Sequence, residues 1–462
     1  MPAESHTAAP VHKVHSAAST TEHERGYPHG HLGHLTPEEQ EALENFKDFL
    51  EERGLYKPGN PASHDDPTLL RFLRARRWVV EDAYHQFKDT EEWRKANQLD
   101  VLYDTIDLDS YEHSRRLYPQ WTGRRDRRGI PLYLFEIRHL DSKTITEYEK
   151  AAEDTYSKAQ TDGKTPPKLL RLFALYENLT RFAQPLCTNL TDRDYPETPI
   201  TLSTNIVDVS GVGLRQFWYL KGHMQAASQL ATAHYPETLD RIFILGAPMF
   251  FSTVWGWIKR WFDPITVSKI FVLSAHEVRP TLEKFIDPKN IPKKYGGQLD
   301  FNWGEMPNLD PVIRETATWE NGHTEFPKGP VYWRPIDDGE RLECIAVGTS
   351  GQKQRYERIC TIPRRYKGQF AEPPVTGVLP PVQQKTAPEK ATETAGAPSV
   401  SVTNGVERTE VPAVSGDAAR AADPVVEGTQ GVQNLSIKDA AEKSTQEDAN
   451  GGSPQPAPAA AA

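Results

Sequence analysis

Cysteine is scarce in this 462-residue chain: Cys187, Cys344 and Cys360 are the only three, and no CxxC pair occurs. That excludes a disulfide framework and a cysteine zinc site and fits a reducing compartment. Long apolar runs are missing too. A spanning helix needs about 18 or more consecutive apolar residues, and none is present. The opening MPAESHTAAPVHKVH lacks the apolar core of a signal peptide, so the sequons at Asn178, Asn189 and Asn434 read as chance matches. Positive charge is in deficit, 54 Lys and Arg against 64 Asp and Glu, a net −10 that argues against a general nucleic-acid binder. Aromatic residues stop at Phe370. Residues 372–462, rich in Pro, Ala, Thr, Glu and Gly, cannot bury enough apolar surface to offset their ordering entropy, and read as a disordered tail with many Ser/Thr sites for phosphorylation. Catalytic signatures are also lacking: no GxxxxGK[ST], GxSxG, HExxH or kinase set. The one DxSG, Asp208 to Gly211, reads as a strand ending in a tight turn. The sequence thus predicts a soluble cytosolic protein that is not an enzyme and holds no metal.

What is present suffices for two or three domains. Residues 1–34 carry seven of the 15 histidines at irregular spacing and read as a disordered His-rich arm, not a metal site. Order is predicted from Leu35, because Thr36, Pro37 and Glu39 form a capping-box start to a helix with Leu43, Phe46, Leu50 and Leu55 on one face. DDPTLLRFLRARRW predicts a second helix, with Arg71, Arg74, Arg76 and Arg77 crowding its C-terminal end beyond what the helix dipole requires. VVEDAYHQFKDTEEWRKAN predicts a third, and residues 35–113 form a helical subdomain. Arg124, Arg125, Arg127 and Arg128 are expected to solvate a charged turn before a strand over 130–137. Residues 145–183 read as helical, and HEVRPTLEKFI as a further helix. Within 301–371, VYWRP and LECIAV suggest a partly ordered extension.

The chain is organised around residues 201–276. TLSTNIVDV reads as a buried strand, Gly211 and Gly213 break it, and a helix from Leu214 to about Ala233 ends at Tyr235-Pro236-Glu237. RIFILG is a second strand, so the unit is βαβ and the sheet parallel. Next, Phe250, Phe251, Val254, Trp255, Ile258, Trp261 and Phe262 fall at helical spacing, with Trp257 off that stripe. Such a segment is either buried all round or meets something oily that is not protein.

In order and at suitable spacing, LLRFLRARRW, YPQW, DRRGIPLY, NIVDVSG, HYPETLDRIFILGAP, FDPITVSKI and IPKKYGG resemble the CRAL-TRIO lipid-binding family, nearest its fungal phosphatidylinositol/phosphatidylcholine transfer proteins of the secretory pathway. The resemblance covers about 35–300. It implies an α/β lipid-binding domain over 114–300: a mostly parallel sheet flooring an apolar pocket, closed by a helical gate at Phe250–Phe262. It further implies phosphatidylinositol headgroup contacts from Arg76, Arg77, Glu237, Thr266 and Lys269, with Asp208 supporting the cage. A buried phosphodiester needs such cationic and hydroxyl donors. On a choline-lipid side Tyr133 and Ser203 match the family, whereas Asn205 stands where threonine is usual and Thr122 where tyrosine is usual, which weakens any cation–π contact to choline.

The expected function is therefore binding of phosphatidylinositol, and its exchange between membranes or presentation to a lipid kinase, by a monomer peripheral to secretory-pathway membranes with no cofactor beyond the bound lipid. Lys259 and Arg260 would meet anionic headgroups. Rival readings keep the fold for a sterol or haem, or make the chain a lipid-sensing adaptor.

Overall fold

The computed structural model describes residues 26–261, 264–368, 371, 376 and 377. The first 25 residues of the His-rich arm and almost all of the tail lie outside the described residues.

The predicted capping box opens helix α1 (Pro37–Glu52): Thr36 Oγ1 accepts from Glu39 N at 3.2 Å, and Glu39 returns the contact to Thr36 N at 3.0 Å. Helix α2 (Asp66–Ala75) is capped by Asp65, which accepts from Thr68 N. Helix α3 (Val80–Ala96) lays Phe87 edge-on against Phe46 and Phe72, closing a core that contains Leu43, Leu50, Leu69 and Leu73. Each fully buried side chain of this kind contributes about 1.5–3 kcal/mol. Helices α4 (Leu99–Thr105) and α5 (Leu108–Arg115) lead into the sheet.

Strands β1 (Gln120–Arg125), β2 (Pro131–Glu136), β3 (Ser203–Asp208), β4 (Leu239–Leu245) and β5 (Ile270–Leu273) form one sheet in that order. The first pair is antiparallel and the rest are parallel. Between β2 and β3 come α6 (Ser142–Glu153), α7 (Pro167–Asn178), a π-helical turn (Leu179–Ala183) and α8 (Gln184–Thr188). The 145–183 helix is thus broken at 154–166, where Pro166 and Pro167 prevent a continuous run. Helix α9 (Leu214–His234) joins β3 to β4, as the βαβ pattern predicts. It is followed by α10 (Phe251–Ile258), α11 (Pro264–Ser268) and α12 (Ala275–Phe285).

Helix α3 is fastened to the sheet domain at several points. Gln86 Nε2 donates to the carbonyls of Thr232 and Ala233, supplying partners to the otherwise unmet C-terminal end of α9. Trp93 stacks on His234 with ring centroids 4.2 Å apart. Beneath them Arg94 makes a two-pronged contact with Glu177 at 2.7 and 3.1 Å, and Tyr235 donates its hydroxyl to the same carboxylate. Burial alone would raise the Glu177 pKa; the Arg94 guanidinium overrides it and holds the group down at about 2.

Three expectations are corrected. The turn arginines are largely not solvated: Arg125 is 4% exposed and bridges Asp192 and Asp310, Arg128 is held by Asp126 and Asp240, and Arg124 donates to Asn308 at two points. Gly26–His34, assigned to the disordered arm, is a set of turns with Tyr27 and His31 buried. Arg74 secures it by donating to Gly30 O at 2.9 Å. Residues 301–368 hold more structure than a partly ordered extension: α13 (Pro311–Thr316) and an antiparallel sheet in the order β6 (Thr318–Trp319), β11 (Glu357–Pro363), β8 (Arg341–Ala346), β7 (Val331–Ile336), with a small hairpin of β9 (Thr349–Ser350) and β10 (Lys353–Gln354). Asn308 N and Asp310 N donate to the carbonyls of Thr122 and Gly123, so this extension covers the open edge of β1.

Candidate functional site

Strand alternation decides what the main sheet presents. Tyr133 and Phe135 of β2, Ser203, Asn205 and Val207 of β3, and Ile242 and Ile244 of β4 line one face. Tyr133 and Asn205 are direct cross-strand neighbours. Leu132, Leu134, Ile206, Phe243 and Leu245 point to the other face, into a separate core under α12. Above the first face, α7, α9 and α10 enclose a cavity of about 680 Å³, a size typical of small-ligand sites.

The cavity has unlike ends. At the N-terminal ends of β3, β4 and β5 it is bounded by Arg76, Arg77, Gln86, Ser203, Glu237 and Thr266. Lys269 stands just before β5 and donates to Glu237 at 3.0 Å and to Leu239 O at 3.2 Å. Arg77 and Glu237 both take the left-handed backbone region, with φ of 52° and 53°. Non-glycine residues are seldom held there, and such positions cluster at ligand clamps. Arg76 and Arg77 are exposed and make no ion pair with the described residues. Burial pushes the Arg74 pKa down to about 10, the nearby Glu237 carboxylate partly opposing it. Burial, then the charges of Arg74 and Lys269, also keep His31 neutral, so the arm sits beside this cationic end.

The other end is apolar. Val207, Val209 and Ile244 floor it, Leu172 and Leu175 of α7 wall it, and Phe251, Val254 and Trp255 of α10 close it. Phe251 and Val254 are buried, Phe250 and Trp255 are partly buried against the same core, and Thr253, Lys259 and Arg260 are exposed. The side chains of Ile258 and Trp261, and all of Phe262, lie outside the described residues. Trp257 meets Trp218 of α9 at 5.1 Å. Met249 is fully exposed beside this segment.

Of the residues singled out in the sequence, Arg76, Arg77, Glu237, Thr266, Tyr133, Ser203 and Asn205 therefore come to one cavity, and Lys269 joins them through Glu237. Two do not. Asp208 lies on the opposite face of the sheet, where Lys294 at 2.6 Å and the Tyr295 hydroxyl at 2.9 Å hold it together with Glu136. Burial would raise its pKa, but Lys294 and the other donors lower it. Its Oδ1 accepts from Ser210 N, the tight turn expected of DxSG. Thr122 is fully buried in β1 and donates to Leu132 O at 3.0 Å, away from the cavity. Motif reasoning overlooked Gln86, Tyr118 and His223, which also line it. The run Phe217, Leu220, Met224, Ala227, Ala231 on α9, at helical spacing, was the available signal for that wall.

Among the described residues no helix is long and apolar enough to cross a membrane, and no group of three or more His, Cys, Asp or Glu could hold a metal.

The profile of the CRAL/TRIO domain matches residues 115–297, and that of the CRAL/TRIO N-terminal domain matches 38–89. The SEC14 cytosolic factor of Eremothecium gossypii is 30% identical over 301 residues, 65% of this chain and 88% of that protein. The Sec14 cytosolic factor of Schizosaccharomyces pombe is 30% identical over 296 residues, 64% and 94% of the two chains. Phosphatidylinositol/phosphatidylcholine transfer protein SFH9 of Arabidopsis thaliana is 30% identical over 272 residues, 56% of this chain and 41% of that one. With the sheet, the enclosed cavity and the helical N-terminal unit in place, the chain belongs to the CRAL/TRIO family.

Proposed function

We propose that this protein binds phosphatidylinositol in the cavity and exchanges it between membranes, the acyl chains on the apolar floor and the phosphate at the cationic end. The observation that carries the reading is the placement of Arg76, Arg77 and Thr266 at one end of an otherwise apolar cavity, beside the Lys269–Glu237 pair. Arg77, unpaired among the described residues, and Lys269 supply charge to a phosphodiester, and Glu237 accepts from inositol hydroxyls. The family relatives named for transfer of this lipid add to it.

Two chains of about 30 methylenes at ~0.8 kcal/mol each represent ~24 kcal/mol of transfer free energy. A cavity must match that nearly in full, so one lipid enters as another leaves. No bond is made or broken, and no cofactor beyond the lipid is needed. Tyr133, Ser203 and Asn205 offer a second lipid a polar contact, but Asn205 is already bonded to Ser203 at 3.0 Å, and Thr122 brings nothing to it. At the membrane, Met249, Trp218 and Leu214 are exposed apolar groups on and near the gate, with Lys259, Arg260 and Lys221 on the same elements to meet anionic headgroups. Action as a monomer, peripheral to secretory-pathway membranes, and presentation of the lipid to a kinase belong to the same proposal.

Native mass spectrometry of the purified chain tests it. Phosphatidylinositol should copurify with the wild type and be reduced at least tenfold in Arg77→Ala/Lys269→Ala, since each lost charge-assisted bond costs about 1.5–3 kcal/mol. A wild type that carries only a sterol or haem, or a double variant that keeps its phosphatidylinositol, overturns the proposal.

A further inference from the structure

Three polar atoms on the cavity wall are left over once the protein's own hydrogen bonds are drawn. On β3 the Ser203 hydroxyl gives its one hydrogen to Thr238 O at 3.1 Å, so toward Asn205 it can only accept, and Asn205 Nδ2 stands 3.0 Å away. That fixes the amide of Asn205 with Oδ1 as its unused atom, without a partner among the described residues. Oδ1 is not sealed into the protein, as Nδ1 of His223 is, but keeps surface toward the cavity. Tyr133, the direct neighbour of Asn205 across the strands, and Tyr176 on α7 line the same cavity, are only partly buried, and pack against one cluster that includes Leu179 and Phe182. Neither phenol hydroxyl meets a partner among the described residues. Burial raises the pKa of both, that of Tyr176 to about 12, so both are neutral.

Asn205 Oδ1 can only accept, and each phenol oxygen can accept as well. The tyrosine ring faces also attract a cation. A primary ammonium, with three N–H donors, answers both features. A trimethylammonium has no N–H and answers only the rings, and a neutral hydroxyl answers only the acceptors. Thr122, turned away on β1, adds no ring that would tip the balance back to choline. The position agrees. Ser203 stands at the cationic end, about 6.6 Å back along the strand, so a phosphate held there leaves an ethanolamine nitrogen within reach of Asn205. We infer that Asn205, with Tyr133 and Tyr176, selects as a second lipid a phospholipid whose head carries a primary ammonium, ethanolamine or serine, over one that carries choline. The inference rests on the exchange reading only in taking the cavity for a phospholipid site.

The test loads the full chain from vesicles of equimolar dioleoyl phosphatidylinositol, phosphatidylethanolamine, phosphatidylserine and phosphatidylcholine, and counts the bound lipids by mass spectrometry. Charge-assisted hydrogen bonds that choline cannot make predict at least a tenfold excess of the ethanolamine or serine lipid over the choline lipid. Whichever of the two carries the excess identifies the source of the ammonium. Ratios are read within one sample, so a change in total uptake does not enter them. Tyr133→Phe/Tyr176→Phe removes two oxygens that no described residue contacts and should lower the ratio severalfold. Asn205→Leu, of similar volume, should do the same, whereas a preference set by head size alone would survive in both variants. No preference for a primary ammonium in the wild type, or an undiminished ratio in both variants, overturns the inference. Its failure is separable from that of the phosphatidylinositol reading. Phosphatidylinositol bound, with the other three lipids taken up alike, sinks this subsite and leaves that reading; the ammonium preference with no phosphatidylinositol bound does the reverse.

Discussion

Asp208 and Asn205 stand three residues apart on one strand and end on opposite faces of the sheet. A strand's side chains alternate with period two, so Ser203, Asn205 and Val207 share the cavity face while Thr204, Ile206 and Asp208 share the other. That parity was readable in STNIVD, and it would have excluded Asp208 from any site built on Ser203 and Asn205. Arg77 and Glu237 were legible through their motifs, but their left-handed backbone was not, because nothing local in RRW or YPE demands it. Glycine gives a residue-scale prediction. Gly123 has φ of 85°, and a Cβ there would stand 2.5 Å from the backbone oxygen of Asn308. Gly123→Ala should lower stability by roughly 2–4 kcal/mol through strain and lost edge pairing. Urea unfolding measures it, and a loss under 0.5 kcal/mol would show that the 308–310 segment yields at no cost.

Among the elements, α3 holds the helical unit to the sheet domain through Glu177. Glu177→Ala would strand the Arg94 guanidinium beside Asp100 alone and deprive the Tyr235 hydroxyl of its acceptor. Removing one partner of a buried pair costs about 3–5 kcal/mol. Arg94→Met/Glu177→Leu, which removes both charges, should recover more than half of that loss in chemical denaturation; no recovery would place the cost in packing. The sequence reading located α3 by its amphipathic spacing, but no periodicity reveals that Arg94 reaches a residue 83 positions away. The gate offers a second test. Met249→Asp should weaken binding to anionic vesicles severalfold in sedimentation assays and leave the melting temperature within a degree or two, because this side chain is fully exposed. Unchanged vesicle binding would place the membrane contact elsewhere.

For the molecule as a whole, acid is the vulnerable direction. His223 and His234 both have pKa values lowered from 6.5 to about 4, chiefly by burial. The unfolded chain therefore binds protons that the folded chain refuses. Their contribution to stability is complete above pH 6.5 and is lost as pH falls toward 4. Below that, protonation of Glu177 extends the loss toward its value of about 2. Melting temperature should fall steadily from pH 7 to 4.5, and His223→Gln/His234→Gln should flatten the slope; an unchanged slope would assign it to other groups.

The covering of β1 by Asn308 and Asp310 carries a consequence for where this protein begins and ends as a folding unit. The CRAL/TRIO profile stops at residue 297, yet Arg125, 4% exposed, takes one of its two carboxylate partners from Asp310. A chain cut after residue 300 would bare the backbone of an edge strand and leave that guanidinium half-paired in a desolvated position. It should associate through β1 and run as oligomers on gel filtration, whereas a chain ending after Pro363 should run as a monomer. The boundary of family resemblance and the boundary of cooperative folding are then different places, and the second lies beyond the first by the whole of the added sheet.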